Sequence, residues 1–159
     1  GAMMSRITRN IREEKGYTYD TFSHISVRYR NAYWMLTASV ATDVTGAALE
    51  EIFGEIRRLR SEPPPEEELE DFRNLVSGLY LLRNASPASI ASHLSFLDLH
   101  GLDGTYPTRY VRKVHAVTPV GVQEVAQTYW RDDRILMVVA GDREKIYDQL
   151  RPFGSIVVD

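Results

Sequence analysis

Apolar positions change period several times along the chain, and each change marks an element. Ile7 and Ile11 repeat at i, i+4 behind Ser5, whose hydroxyl suits a helix N-cap. Gly16 follows, a residue that accepts positive φ. The spacing predicts a short helix over Ser5–Lys15. Tyr17–Tyr29 is rich in Tyr, Thr, Phe, Ile and Val and holds no Pro or Gly, so it reads as a strand. Tyr33–Thr42 alternates, with Trp34, Leu36, Ala38 and Val40 on one face and Tyr33, Thr37 and Ser39 on the other. Arg30-Asn31-Ala32 is the expected hairpin turn, with Asn31 tolerating left-handed geometry.

The period then lengthens. Thr42 or Asp43 caps a helix to about Arg60, with Val44, Ala48, Leu49, Ile52, Phe53, Ile56 and Leu59 on one face. Pro63-Pro64-Pro65 breaks the chain, and Glu66-Glu67-Glu68 opens the next helix with the dipole. Its expected stripe is Leu69, Phe72, Leu75, Val76 and Leu79. Ser86-Pro87 and Thr118-Pro119 each place a capping hydroxyl before a Pro at the first helical position. They start helices carrying Ile90, Ala91, Leu94 and Leu97, and Val122, Val125, Ala126 and Tyr129. A weaker helix is expected over Tyr106–Ala116. Ile135–Ala140 is continuously apolar and reads as a central strand. Gly141-Asp142 turns into a short helix to about Leu150, and Ile156–Val158 reads as a last strand. Strands and helices are partly segregated. The fold class is α+β: an antiparallel sheet with helices packed on one side, not a doubly wound sheet.

Composition narrows the function classes. The 159 residues fit one domain, and a net charge of −3 gives no nucleic-acid footprint. No apolar run approaches the roughly 18 residues a membrane span needs. There is no cysteine, which removes disulfides, thiolate catalysis and Cys-based zinc sites. Gly1-Ala2-Met3 reads as the scar of a cleaved tag, so residues 1–4 are assigned to tag and linker and 5–159 to the domain. Targeting is not legible, and a periplasmic and a cytoplasmic location are equally open.

No self-contained catalytic set emerges. His24, His93, His100 and His115 do not stand in H-E-x-x-H or H-x-x-E-H spacing. His93 and His100 are seven apart and share a helix face without an evident third ligand; they read as ordinary helix residues near the surface. G-x-S-x-G, a P-loop and G-x-G-x-x-G are missing. Glu66–Glu70 reads as a solvated first turn, Arg57, Arg58 and Arg60 as a solvated face, and Trp130 as a core residue.

The stretch Ser5-Arg6-Ile7-Thr8-Arg9-Asn10-Ile11-Arg12-Glu13-Glu14-Lys15-Gly16-Tyr17-Thr18-Tyr19 resembles a segment of the pitrilysin/insulinase zinc peptidases, the inverted zincins. In that family a short helix reading Leu/Ile-Arg-Glu-x-x-Gly-x-x-Tyr precedes a long hairpin. The series continues through Thr42-Asp43, Glu55-Ile56-Arg57-Arg58-Leu59, Glu66-Glu67-Glu68-Leu69, Ala116-Val117-Thr118-Pro119-Val120-Gly121-Val122 and Val138-Val139-Ala140-Gly141-Asp142. Gly121 stands where the family usually has Asp.

The resemblance implies a C-terminal, non-catalytic domain of such a peptidase. In the family the N-terminal domain carries H-x-x-E-H and the zinc, and the C-terminal domain helps hold the peptide. An Arg–Tyr pair seven residues apart makes that contribution, and here it falls on Arg12 and Tyr19. No metal ligand or catalytic residue is expected in this chain. The expected partners are a zinc-bearing catalytic domain or subunit and a peptide substrate. The bland reading pairs Arg12 with a neighbouring acid and packs Tyr19 on its strand. A structural or interaction subunit without peptidase activity, like the core subunits of the cytochrome bc1 complex, is the alternative function. The resemblance also implies one or two strands and a helix before Ser5, so the domain is expected to be incomplete there. A homodimer through an exposed edge strand, Tyr17–Tyr29 first, follows from that expectation.

Overall fold

A computed structural model describes residues 5–158; the tag assignment at residues 1–4 lies outside them. The described chain is α+β, with seven α-helices and one two-stranded antiparallel sheet among the described residues. It divides into two compact units. The first holds residues 5–27, 32–58 and 130–158, and the second holds 28–31 and 59–129.

The first unit is built on a turn and a hairpin. The Ser5 side chain accepts from the Thr8 N–H at 3.3 Å, and one turn of helix, α1 (Arg6–Thr8), follows. The backbone then widens into a π-type turn over Arg9–Glu14, where the Lys15 N–H reaches the Asn10 carbonyl at 2.9 Å. Sequence periodicity predicts only the helix; the widening comes from how Ile11 seats. Ile11 is fully buried, against Ile52 and Ile56, with Ile7, Trp34, Leu36, Ala38 and Trp130 packed around them. Gly16 leaves the turn at φ +67°, where a Cβ is costly.

Strands β1 (Thr18–Arg28) and β2 (Asn31–Val40) form the hairpin. Trp34, Leu36, Ala38 and Val40 are half-buried while Tyr33, Thr37 and Ser39 are exposed, as the alternation predicts. The tip differs from expectation. Arg30, not Asn31, takes the left-handed conformation, at φ +59°, and Asn31 already starts β2. Helix α2 (Thr45–Ser61) buries Ala48, Ile52 and Ile56 of the expected face, and Thr45 beside them. Its start is held by the C-terminal helix α7 (Arg143–Leu150): the Gly46 N–H donates to Gln149 Oε1 at 2.9 Å, and Gln149 Nε2 donates to the Thr42 carbonyl at 2.9 Å. A Cβ on Gly46 would meet Gln149 Cβ and its carbonyl oxygen at 3.1 Å, so this position needs glycine for close approach.

Two expected strands are not in a sheet. Ile135 has extended backbone angles (φ −97°, ψ 125°), and Ile135 and Met137 are half-buried while Leu136 and Val138 are exposed. Among the described residues, no backbone group of 135–140 or 156–158 is hydrogen-bonded, and the sheet contains only β1 and β2. The alternation holds over 135–138 and stops at the exposed Val139, and a ladder also needs a neighbouring strand.

The second unit is helical: α3 (Glu66–Arg83), α4 (Pro87–Leu99), α5 (Tyr106–His115) and α6 (Pro119–Tyr129). The expected hydroxyl caps are formed, Ser86 accepting from Ser89 N–H and Thr118 from Gly121 N–H, each at 3.1 Å. The buried face of α3 is Leu69, Arg73 and Ser77, rotated from the expected stripe; Leu75, Val76 and Leu79 are exposed. Arg73 explains the rotation. It donates to Glu66 at 2.5 Å and Glu70 at 2.9 Å, and to the Val117 carbonyl just before α6. Glu66 and Glu70 are thus ion-pair partners as well as a favourable first turn. Tyr80 on α3 stacks on Tyr110 of α5 with centroids 3.9 Å apart and meets His93 Nε2 of α4 at 3.2 Å. Burial pushes both phenols above their ordinary values.

Two tests address these contacts. Ile11→Ala is expected to cost about 2–4 kcal/mol of stability, a large-to-small loss in a filled core. Gln149→Ala should cost about 1–2 kcal/mol, through loss of two hydrogen bonds at the start of α2. Chemical denaturation reads both. If Ile11→Ala unfolds no more easily than Gln149→Ala, this account of the core is wrong.

A third test concerns the loop before α5. The carboxylate of Asp103 accepts from the Thr105 hydroxyl and from Arg109 at 2.6 and 2.8 Å, and from the Thr105 N–H at 2.8 Å. Those donors lower its pKa to about 2, the Thr105 hydroxyl most. A lowered folded pKa means that the loop's contribution is present above the ordinary carboxylate value. It fades as pH falls towards 2. An NMR titration should find the Asp103 midpoint near 2, and Thr105→Val should move it upward; an ordinary midpoint would dismiss the cluster.

Candidate functional site

The π-type turn and the first residues of β1 bring Arg12 and Tyr19 together. Ile11, the preceding residue, is fully buried, so the position of Arg12 is set by the core. The Tyr17 N–H donates to the Ile11 carbonyl at 2.8 Å, tying the start of the strand back to the same turn. Thr18 is buried, and its hydroxyl lies 2.7 Å from the carbonyl oxygens of Asp20 and Ser39. One proton serves those two acceptors, while the Asp20 N–H donates back to the hydroxyl at 3.1 Å. Tyr19 is therefore flanked by fixed backbone on both sides.

The Arg12 guanidinium lies over the Tyr19 ring, its carbon 4.8 Å from the centroid, within the range of a cation–π contact. Arg12 is half-buried, and Tyr19 is 84% exposed. Among the described residues no carboxylate pairs with Arg12, and the Tyr19 hydroxyl has no hydrogen-bond partner. Glu13 and Glu14, next in sequence, are exposed, and Glu51 of α2 accepts from Asn10 at 2.9 Å and pairs with Lys15 at 3.0 Å. Those contacts, Asn10 first, lower the Glu51 pKa, and Glu51 raises that of Lys15. Glu55 accepts from Asn10 at 3.2 Å. This network fastens the turn to α2 and leaves the guanidinium without a carboxylate partner.

Arg12 and Tyr19 together present a planar array of N–H donors beside a phenol. Such a surface holds carbonyl or carboxylate oxygens; it has neither a nucleophile nor a base. Among the described residues no group of three or more His, Asp or Glu is placed to hold a metal ion. His93 and His100 lie apart from each other in use: His93 bonds Tyr80, and His100 packs on Phe96 at 4.2 Å. Trp130 packs on Trp34 at 5.3 Å, in the core as expected. Two features escape sequence reasoning. One is the π-type turn under Arg12, whose i−5 bonds leave no mark in hydrophobic spacing; such turns recur at functional sites. The other is an open recess of about 500 Å³ in the second unit, lined by Tyr29, Arg30, Asp98, Leu99, His100 and Gly101.

The geometry can be compared with known proteins. Residues 1–76 match the model of the peptidase M16 inactive domain. Over this stretch the chain is similar to the M16 inactive domain. The match agrees with the resemblance read from Ser5–Tyr19. The inactive-domain fold extends over more of the chain. A peptidase M16 inactive domain from Pseudomonas fluorescens matches with a TM-score of 0.73 at 19% identity, over 81% of this chain and 31% of that one. A conserved protein from Enterococcus faecalis V583 matches at 0.70 and 19% identity, over 80% and 29%. A protease from Helicobacter pylori matches at 0.71 and 14%, over 82% and 32%. The chain thus spans about a third of the length of the structures it matches. No curated protein matches it significantly. At these identities the structures speak for the fold.

A chain with no such group of metal-capable side chains among its described residues should carry no metal. Elemental analysis of the purified chain is expected to find zinc far below one equivalent, and a chelator should leave its melting temperature unchanged. One equivalent of zinc, removed by chelator with loss of stability, would contradict that.

Proposed function

We propose that this chain is the substrate-clamp domain of a zinc metalloendopeptidase. In this reading it helps enclose a peptide that a separate zinc-bearing domain or subunit cleaves. The zinc and the hydrolytic chemistry belong to that partner. This domain contributes Arg12 and Tyr19.

The observation that carries the reading is the state of that pair. Arg12 lies over Tyr19 rather than on an acid, and the ring stands in solvent on a strand fixed by Thr18. A scaffold has no need of an unneutralised guanidinium held beside an exposed phenol. Held in place by the buried Ile11, Arg12 offers several N–H donors to a peptide carbonyl with little ordering left to lose. The Tyr19 hydroxyl supplies one more donor, for the scissile carbonyl or the oxyanion that replaces it. Donors fixed before the substrate arrives stabilise developing negative charge without reorganising.

The test is kinetic and needs the zinc-bearing partner. Arg12→Ala or Tyr19→Phe should lower kcat/KM by about one to three orders of magnitude, as expected for loss of a positioning or oxyanion donor. Zinc content and melting temperature should stay close to wild type. Unchanged kinetics in both variants would reject the clamp and leave the structural or interaction subunit as the better reading.

A further inference from the structure

Two charged side chains of the second unit stand where local rules disfavour them, and both line one recess. Arg30 holds φ +59°, a left-handed conformation that penalises a residue with a Cβ. Asp98 lies in the last turn of α4, where the partial negative charge of the helix end repels a carboxylate. Neither penalty is offset by pairing the two, since no ion pair joins Arg30 to Asp98 among the described residues. Positions that break local preference in this way concentrate where a protein binds something.

The recess they share holds about 500 Å³ and lies wholly within the second unit, between the hairpin tip and the end of α4. That volume suits a small molecule. One wall is aromatic. His100 is half-buried and packs on Phe96 at 4.2 Å, and the Tyr29 ring stands 6.4 Å from the His100 ring. The Arg30 guanidinium lies 4.9 Å over the Tyr29 ring, so a cation and an aromatic face are presented together. Gly101, at φ +63°, closes α4: its N–H donates to the Asp98 carbonyl at 3.1 Å, and the Leu102 N–H donates to the Leu97 carbonyl at 2.9 Å. This glycine cap fixes the helix end and puts no Cβ into the recess.

The two charges select the ligand. Asp98 and the carbonyl end of α4 make an edge that suits an ammonium group. Arg30 offers a planar fork of N–H donors that suits a carboxylate. A simple anion is opposed by Asp98, and a bare cation is opposed by Arg30. A molecule that carries both groups answers both edges, and an apolar or aromatic side chain on it can pack against Tyr29 and His100.

We infer that this recess binds a small zwitterion, an α-amino acid with an aromatic or large apolar side chain, its carboxylate on Arg30 and its ammonium towards Asp98. The inference stands on the second unit and does not rest on the clamp reading.

The probe is L-phenylalanine, titrated into the 159-residue chain and followed by backbone NMR. Signals of residues 29–30 and 98–101 should shift and saturate with a Kd of about 1 mM, the weakness expected of a small ligand in an open site. N-acetyl-phenylalanine lacks the ammonium and phenylalaninamide lacks the carboxylate; each should bind about tenfold more weakly. In Asp98→Asn the preference for phenylalanine over its N-acetyl form should vanish, because the group that reads the ammonium is gone. Arg30→Gly relieves the left-handed backbone, and Asp98→Lys places a favourable charge at the helix end. Both variants should melt at or above the wild-type temperature by circular dichroism, yet lose phenylalanine binding. No saturable shift up to tens of millimolar phenylalanine overturns the inference. So do shifts centred outside the recess, equal binding of either blocked form, or full binding by Arg30→Gly. If Arg30→Gly or Asp98→Lys melts well below wild type, that side chain is there for the fold, and the inference fails on that ground as well.

Discussion

Burial of Ile11 is the constraint on which the first unit depends. It is the one large side chain fully buried among the described residues, and it sits in a turn, not in a regular helix. Filling the space between Ile52, Ile56 and the inner face of β2 requires the backbone at 9–14 to widen by one residue per turn. That widening sets where Arg12 stands, and the Ile11 carbonyl then receives the Tyr17 N–H and starts the hairpin. Core packing and site geometry are one arrangement here. A change that shifts Ile11 moves the guanidinium with it, because only one peptide unit lies between them.

Local signals were legible in the sequence, and nonlocal ones were not. Ser5, Ser86, Thr118 and Asp142 cap helices as their residue types demand, because a cap needs only its own next three residues. The alternation in β2 is equally local and predicts its half-buried face. The hairpin tip went to Arg30 although Asn is the better left-handed residue, since strand register, not preference at one position, decides which residue stands at the turn. On α3 the buried face holds Arg73 and Ser77 where hydrophobicity pointed to Leu75 and Val76. Arg73 earns that place by satisfying the Val117 carbonyl and two carboxylates, a relation across 44 residues that no periodicity reveals. The pair Arg12 and Tyr19 was legible only through family resemblance; seven residues of separation across a turn do not by themselves bring two side chains together.

The second unit uses aromatic and polar tips in place of a deep aliphatic core. Tyr80, His93, Tyr106 and Tyr110 contact one another by stacking and edge contacts, and Lys113 lies 5.6 Å over Tyr106. Each ring offers an apolar face to a neighbour and a polar end to water or to a hydrogen bond, as with Tyr80 and His93. Such a cluster fixes helix spacing while leaving Leu75, Val76, Leu79, Ile90 and Leu94 exposed. Parts of the apolar stripes that sequence patterning assigns to α3 and α4 are therefore surface in this chain, while Leu69 and Leu97 stay buried beside the aromatic set.

Strand propensity and strand pairing separate most clearly at Ile135–Ala140. β-branched residues lower the cost of the extended conformation, and Ile135 and Met137 are half-buried while Val139 is exposed, so only the start of the segment turns one side inward. Hydrogen bonding is a different requirement, met only by a second backbone at the right distance. In water the open groups are solvated, so the segment tolerates being unpaired. Hydration does not remove the 88% exposure of Leu136 and Val138, which favours any arrangement that gives them a cross-strand neighbour.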